Sequence, residues 1–294
     1  MLEESFGKIG MSAKNENPSF FPSTYHTFTL SDSVALSVYS NTNPQNMKIA
    51  DLQKGLILSC RGADVIGEGT GFGVPIAKYA DETVFSGSSF LYVRGNADAV
   101  EIRKEFLMDL VARDRFLNLN LENQKIRTLF GYMSMLPHEH KRLGRFILIA
   151  KDLLFKFGVK SSFVRRSHKG AIIVTYIVDQ NRILVKLNLS MLNRTNLGKV
   201  FVLNEQGAHF FRIYSDSEGL KLIDGEIGVW DVVKAQSAKI TDGRNKIGFS
   251  LKSLEGSTLR RGRELMKGSL NWIGLDYELN PENCRFEYEI EFFE

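Results

Sequence analysis

Two cysteines, Cys60 and Cys284, are all the thiol chemistry that this chain of 294 residues carries. So low a count excludes a disulfide framework and a Cys-x-x-Cys metal pair, and two reduced cysteines packed in the fold are the expectation. Long apolar runs are missing as well. No segment approaches the roughly 20 residues that a helix needs to cross a bilayer, so no membrane partner is expected. The opening stretch MLEESFGKIGMSAKNENPSFFPST has early glutamates and no apolar centre. It does not read as a signal peptide, and a cytoplasmic location is the expectation. The sequon Asn193-Arg194-Thr195 then carries no meaning. Nor does one sign of charge dominate: 38 Lys and Arg against 34 Asp and Glu leave +4, too mild to argue for a partner.

The signatures of common nucleotide and hydrolytic chemistry are also lacking. VIGEGTGFGVPIAKYAD, 65–81, opens like the phosphate-covering loop of a protein kinase. Its companions do not follow: ARDRF (112–116) has no histidine and no downstream asparagine, and IDG (223–225) and TDG (241–243) are turn sequences. As a dinucleotide loop it misses the third glycine and the helix whose N-terminus would face a pyrophosphate. The Walker pattern, HExxH and Gly-x-Ser-x-Gly are absent, so neither a cofactor nor a metal is expected. His138 and His140, two residues apart at a helix start, would point about 200° apart, which suits chelation poorly. On the strand reading, Gly67, Gly69, Gly71 and Gly73 lie on one face, crowded by a neighbouring strand or ring. Glu68 and Thr70 then point the other way and are candidate ligand contacts.

What the chain does have is strand periodicity. AVEIRKEFLMDLVAR sets Val100, Ile102, Phe106, Met108 and Leu110 on one side, with Lys104 breaking the pattern. GAIIVTYIVDQNRILVKLNLS reads as strands at 171–178 and 182–189 around a polar turn. Further strands follow, with turns at Glu205–Gly207, Ser215–Gly219 and Asn280–Asn283. Turn signals every 8–12 residues, mostly without helices between them, argue for a sandwich. One amphipathic helix is predicted at 137–157, between Pro137 and Gly158, with Leu143, Phe146, Ala150, Leu153 and Phe157 on its apolar stripe. The expectation is therefore mainly β: a large antiparallel β-sandwich, or super-sandwich, with one packed helix. It forms a single domain over 1–294, with 1–24 irregular. In size and strand density this is similar to the large sandwiches of carbohydrate-active proteins such as the galactose mutarotase-like group, a likeness of architecture that covers no motif.

Two loci stand out for chemistry. Glu205 and His209, around the presumed turn NEQGA, are candidates for an acid–base pair. STLRRGRELMKGSLNWIGLDY, 257–277, adds Arg261, Arg263, Glu264, Trp272 and Tyr277: guanidinium forks suit acidic groups, and aromatic faces suit sugar rings. The first expectation is a carbohydrate-binding or carbohydrate-active protein, with Glu205, His209 and Glu264 as catalytic candidates. A small-molecule or saccharide ligand would lie on Arg261, Arg263, Trp272, Tyr277, Glu68 and Thr70, all converging on one concave cleft. The second is a non-enzymatic binding or assembly module. Segment 137–170 carries nine Lys and Arg against Glu139 and Asp152, a net +7; the tail 276–294 carries seven acids against Arg285, a net −6. Self-association through opposite charges follows naturally from that asymmetry. The third is nucleic-acid binding through the basic segment, disfavoured because Phe146, Phe155 and Phe157 sit at apolar helical positions.

Overall fold

A computed structural model describes residues 20–29, 34–40, 52–60, 63–64, 69–80, 82–95, 100–116, 119–120, 159–166, 168–179, 182–244, 246–265 and 271–293. The predicted helix at 137–157, much of the basic segment, His138, His140 and Glu68 lie outside the described residues. The strands, in chain order, are β1 (Phe21–Ser23), β2 (Tyr25–Thr29), β3 (Val34–Tyr39), β4 (Ile57–Cys60), β5 (Ala63–Asp64), β6 (Gly71–Tyr79) and β7 (Thr83–Gly95). Next come β8 (Val100–Phe116), β9 (Leu119–Asn120), β10 (Val159–Arg165), β11 (Ala171–Asp179), β12 (Arg182–Asn188), β13 (Leu197–Gly207) and β14 (Phe211–Asp216). The chain ends with β15 (Lys221–Ile223), β16 (Asp231–Val232), β17 (Ser237–Asp242), β18 (Gly248–Lys252), β19 (Ser257–Glu264), β20 (Trp272–Leu279) and β21 (Arg285–Phe293). A short 3-10 turn at Asp224–Glu226 follows β15. Residues 21–23, expected to be irregular, pair with Leu91–Val93 of β7.

One antiparallel sheet holds 17 strands, and β2–β5 form a second sheet of 4. Read from one edge, the large sheet runs β16, β19, β20, β13, β6, β7, β8. It continues β11, β12, β21, β18, β17, β14, β15. The long β7–β8 pair carries the sheet around, so that β19–β20–β13–β6 faces β11–β12–β21–β18. Side chains crossing the interior define this sandwich. Phe72 of β6 meets Phe249 of β18 at 5.0 Å and Phe292 of β21 at 5.7 Å. The Tyr176 hydroxyl on β11 donates to the Phe72 carbonyl at 2.9 Å. From β21, Tyr288 donates to Asn204 Oδ1 at 2.6 Å.

Period-2 alternation dictates which residues fill the interior. Ile172, Val174, Tyr176 and Val178 of β11 point inward beside Ile183, Val185 and Leu187 of β12. Each such aliphatic burial contributes about 1.5–3 kcal/mol. On β21, Tyr288 and Ile290 point inward while Glu287, Glu289 and Glu291 point out. Those carboxylates meet Lys186 at 3.2 Å, Arg182 at 3.3 Å and Lys252 at 2.7 Å. The acidic tail is thus balanced by β12 and β18, its neighbours in the sheet.

The small sheet joins β6 through the Leu56–Phe72 bridge and β13 through Gln206. The Gln206 side chain accepts from Leu58 N at 3.1 Å and donates to the Leu56 carbonyl at 3.3 Å, as a strand's backbone would. Lys104 completes the junction. It sits on the same face of β8 as Ile102 and Phe106, 0% exposed, and donates to the carbonyls of Tyr39 and Lys54. The residue that breaks the sequence pattern therefore obeys the strand's geometry.

Burial lowers the Lys104 pKa from 10.5 to about 7. Between those values the unfolded chain holds a proton that the folded one lacks, so folding stability rises with pH across this window. Urea unfolding should show the wild type gaining roughly 3–4 kcal/mol on Lys104→Met from pH 7 to pH 10. A constant difference between the two proteins across that range would refute this.

Candidate functional site

The outer face of β6, β13, β20 and β19 carries the candidate site. On β20, Ile273, Leu275, Tyr277 and Leu279 face the core, so Trp272, Gly274, Asp276 and Glu278 face outward. Register sets Glu205 of β13 opposite Gly274, with Gly262 and Glu264 of β19 opposite Gly274 and Trp272. The two glycines make room. A Cβ on Gly262 would lie 2.6 Å from the tip of the Trp272 ring, and one on Gly274 2.9 Å from Glu205 Cγ. Trp272 and Glu205 therefore lie flat across adjacent strands. Trp230 packs on Trp272 at 5.5 Å and on Phe201 at 6.0 Å. Its backbone has a positive φ of 63°, and its carbonyl accepts from Arg260 Nη1 at 2.8 Å.

Beside this wall opens a cavity of about 120 Å³. Leu203, Val74, Ile76, Phe85 and Trp272 make it mostly apolar; Thr70, Gln53, Ser86 and Glu205 bring the polar groups, and among the described residues no Lys or Arg lines it. Glu205 is 3% exposed and accepts from Thr70 Oγ1 at 2.8 Å. Asp276 is 1% exposed; its Oδ1 accepts from Asn204 N at 2.6 Å, while its Oδ2 has no hydrogen-bond partner among the described residues.

Desolvation dominates the acidity of both groups. It holds the Glu205 carboxyl well above the usual range, aided by the charges of Asp276 and Glu264 and opposed by Thr70. It pushes Asp276 up to about 7, opposed by the Asn204 N–H. A protonated Glu205 can donate a hydrogen bond into the cavity, and a deprotonated one can hold a cation there. Among the described residues no three His, Cys, Asp or Glu side chains cluster as metal ligands would.

The sequence-predicted residues divide between two faces. Thr70, Glu205, Glu264 and Trp272 share the outer face. Arg261 and Arg263, opposite Leu275 and Ile273, take the other face. The Arg261 guanidinium lies 4.9 Å over the Tyr214 ring, and its Nε donates to the Ile227 carbonyl at 3.0 Å. Arg263 donates to the Ala208 carbonyl at 3.2 Å and meets Asp224 at 3.2 Å. These arginines hold the 224–231 segment rather than an acidic ligand. Tyr277 is a core residue whose hydroxyl donates to the Lys252 carbonyl at 2.6 Å. A single cleft containing all of them is not what the strands form. Glu205, read as part of a turn, lies within β13; the turn follows at Ala208–Phe210, where His209 is exposed. The groups that act on Glu205 are Asp276, Thr70 and Glu264, with His209 not among them.

The glycine stretch is architecture in its described part. A Cβ on Gly69 would strike the Glu205 carbonyl, one on Gly71 the Leu56 carbonyl, and one on Gly73 the Tyr176 ring. Gly71 and Gly73 also have φ of 87° and 75°, so this is no regular strand with one bare face. Asp276 and Asn204 escaped the sequence reading. An aspartate inside the otherwise apolar run WIGLDYEL was the available signal.

Compared with protein-family models, curated proteins and solved structures, the chain matches none.

The raised pKa of Asp276 has a definite sign. From its ordinary 3.8 up to about 7 the folded state holds a proton that the unfolded state has lost, so stability falls as pH rises through this window. Chemical denaturation should show Asp276→Asn gaining roughly 2–4 kcal/mol on the wild type between pH 4 and pH 7. Parallel pH profiles would contradict the assignment.

Proposed function

We propose that the protein is a binding module that takes up one compact small molecule in the cavity between Trp272 and Glu205. The observation that carries this reading is a buried carboxyl at the wall of an apolar, aromatic-sided cavity with few other polar groups, the usual composition of a small-ligand site. At about 120 Å³ the space is near the ~150 Å³ that accommodates one six-membered ring. The division of Glu205 and His209 between a buried strand and an exposed turn speaks for binding over acid–base catalysis by that pair.

The carbohydrate reading keeps one specific support, the Trp272 ring in the cavity wall, against which a pyranose face would stack. It loses Arg261, Arg263 and Tyr277 as contacts. Assembly or nucleic-acid binding through segment 137–170 draws no support, because most of that segment lies outside the described residues.

Both tryptophans of the chain, Trp230 and Trp272, belong to this wall, so intrinsic fluorescence reports on it directly. Titration with cyclopentanol and with a methyl pyranoside should give a saturable change for at least one, and the tighter ligand decides between a plain apolar site and a saccharide site. Gly262→Ala, which forces the Trp272 ring aside, should weaken that binding by about tenfold. No saturable response to either compound would sink the proposal.

A further inference from the structure

Resting on the cavity as a ligand site, we infer that its ligand is a compact, neutral carbonyl compound whose oxygen accepts a hydrogen bond from the Glu205 carboxyl. The polar groups of the wall point to this class. Thr70 and Ser86 each have one hydroxyl proton, and both protons are used within the protein. Thr70 donates to Glu205 Oε2 at 2.8 Å, and Ser86 donates to the Ser88 carbonyl at 2.8 Å. The Gln53 amide accepts from Ser89 Oγ at 2.6 Å and donates to the Gly87 carbonyl at 3.4 Å. Glu205 differs from these. Among the described residues Thr70 is the one hydrogen-bond partner of its carboxyl, and that bond occupies Oε2. Oε1 is the atom left for a guest.

Whether Oε1 donates or accepts depends on its proton. Glu205 is 3% exposed and shares the wall with Leu203, Val74, Ile76 and Trp272. An ionised carboxyl supported by a single hydroxyl is costly in such surroundings. Burial is accordingly the largest influence raising its pKa, and the charge of Asp276 on β20 comes next. The Thr70 bond, from just ahead of β6, works the other way, and the charge of Glu264 on β19 adds least. The balance holds the carboxyl in its acid form. Because Thr70 donates to Oε2, the acid proton belongs on Oε1.

A carbonyl oxygen is the natural partner for that O–H. A carboxylic acid kept neutral by an apolar site can donate a hydrogen bond at neutral pH, which a carboxylate cannot. An ammonium would require Glu205 to lose its proton against the burial that retains it. A hydrocarbon would leave the buried O–H unmet. The apolar lining of Leu203, Val74, Ile76 and Phe85, with the Trp272 ring, would take the rest of the guest. At about 120 Å³ the space suits a ring of about five or six atoms.

The test uses the full chain with cyclopentanone and with methylenecyclopentane, the same ring with C=CH₂ in place of C=O. Calorimetry should show the ketone binding about tenfold more tightly, the worth of one buried hydrogen bond. Infrared difference spectra of the wild type should show a protonated carboxyl whose band shifts when the ketone binds and is missing from Glu205→Gln. Glu205→Gln, whose amide can still donate, should keep the preference for the ketone to within about threefold. Glu205→Leu should remove the preference while methylenecyclopentane still binds. If the leucine variant does not fold, the wild-type preference and the infrared band decide. Equal or tighter binding of methylenecyclopentane, or a carboxylate band for Glu205 in the ketone complex, overturns the carbonyl assignment while leaving the cavity as a ligand site. Failure of both compounds and of cyclopentanol to bind overturns the ligand site itself, and the assignment with it.

Discussion

One buried amide, the side chain of Asn204, holds the structure's two layers and its candidate site in their relative places. Its Oδ1 accepts from Gly73 N at 3.1 Å and from the Tyr288 hydroxyl at 2.6 Å. Its Nδ2 donates to the Leu275 carbonyl at 3.1 Å. β6, β20 and the opposite layer's β21 thus meet at one fully buried residue. The need for it arises in β6, where the pairing with β13 slips by one residue between Leu203 and Asn204. A bulge leaves a backbone donor outside the ladder, here the N–H of Gly73, and Asn204 satisfies it. The slip also changes parity: Phe72 turns into the core while Val74, two residues along, faces the cavity. Without the bulge one of these two would be on the wrong side. Asn204's own N–H meanwhile goes to Asp276, which fixes the buried acid behind Glu205.

Two sorts of buried charge coexist in this fold, and their surroundings tell them apart. Lys104 is enclosed, with two carbonyls as acceptors and the rings of Tyr39 and Phe106 at 5.6 and 5.0 Å. It fastens the small sheet to the large one. Glu205 and Asp276 accept one hydrogen bond each, from Thr70 and from Asn204 N. Asp276 Oδ2 has no partner among the described residues, and Glu205 borders the cavity. Groups that cost stability and face a cavity are where function is sought, because local rules are broken most often at sites that do something. The strained φ of Trp230 points the same way: a bulky residue in left-handed backbone, secured by Arg260, backs the ring that walls the cavity.

Much of the architecture was legible. Alternation marked β11, β12 and β8 clearly, because one face of each is wet or paired with charge while the other is dry. Where both faces are buried, alternation fails, and NEQG then looks like a turn although it is the inner half of β13. The division of the arginine–aromatic locus was also present in the sequence, though unread. Residues an odd number apart on one strand take opposite faces, which separates Arg261 and Arg263 from Glu264, and Trp272 from Tyr277. Long-range partnerships, such as β12 with β21 and β6 with β13, leave no local trace. The cavity follows from those pairings, so its position could not be read from any single stretch.

The account's central claim is that the Asn204–Tyr288 contact couples the two layers of the sandwich. A double-mutant cycle with Asn204→Ala and Tyr288→Phe, read by urea unfolding, tests it directly. Each change should destabilise the fold, and the pair should lose roughly 1–3 kcal/mol less than the sum of the single losses. Losses that add to within about 0.5 kcal/mol would show that the two residues act independently, and the account would fail.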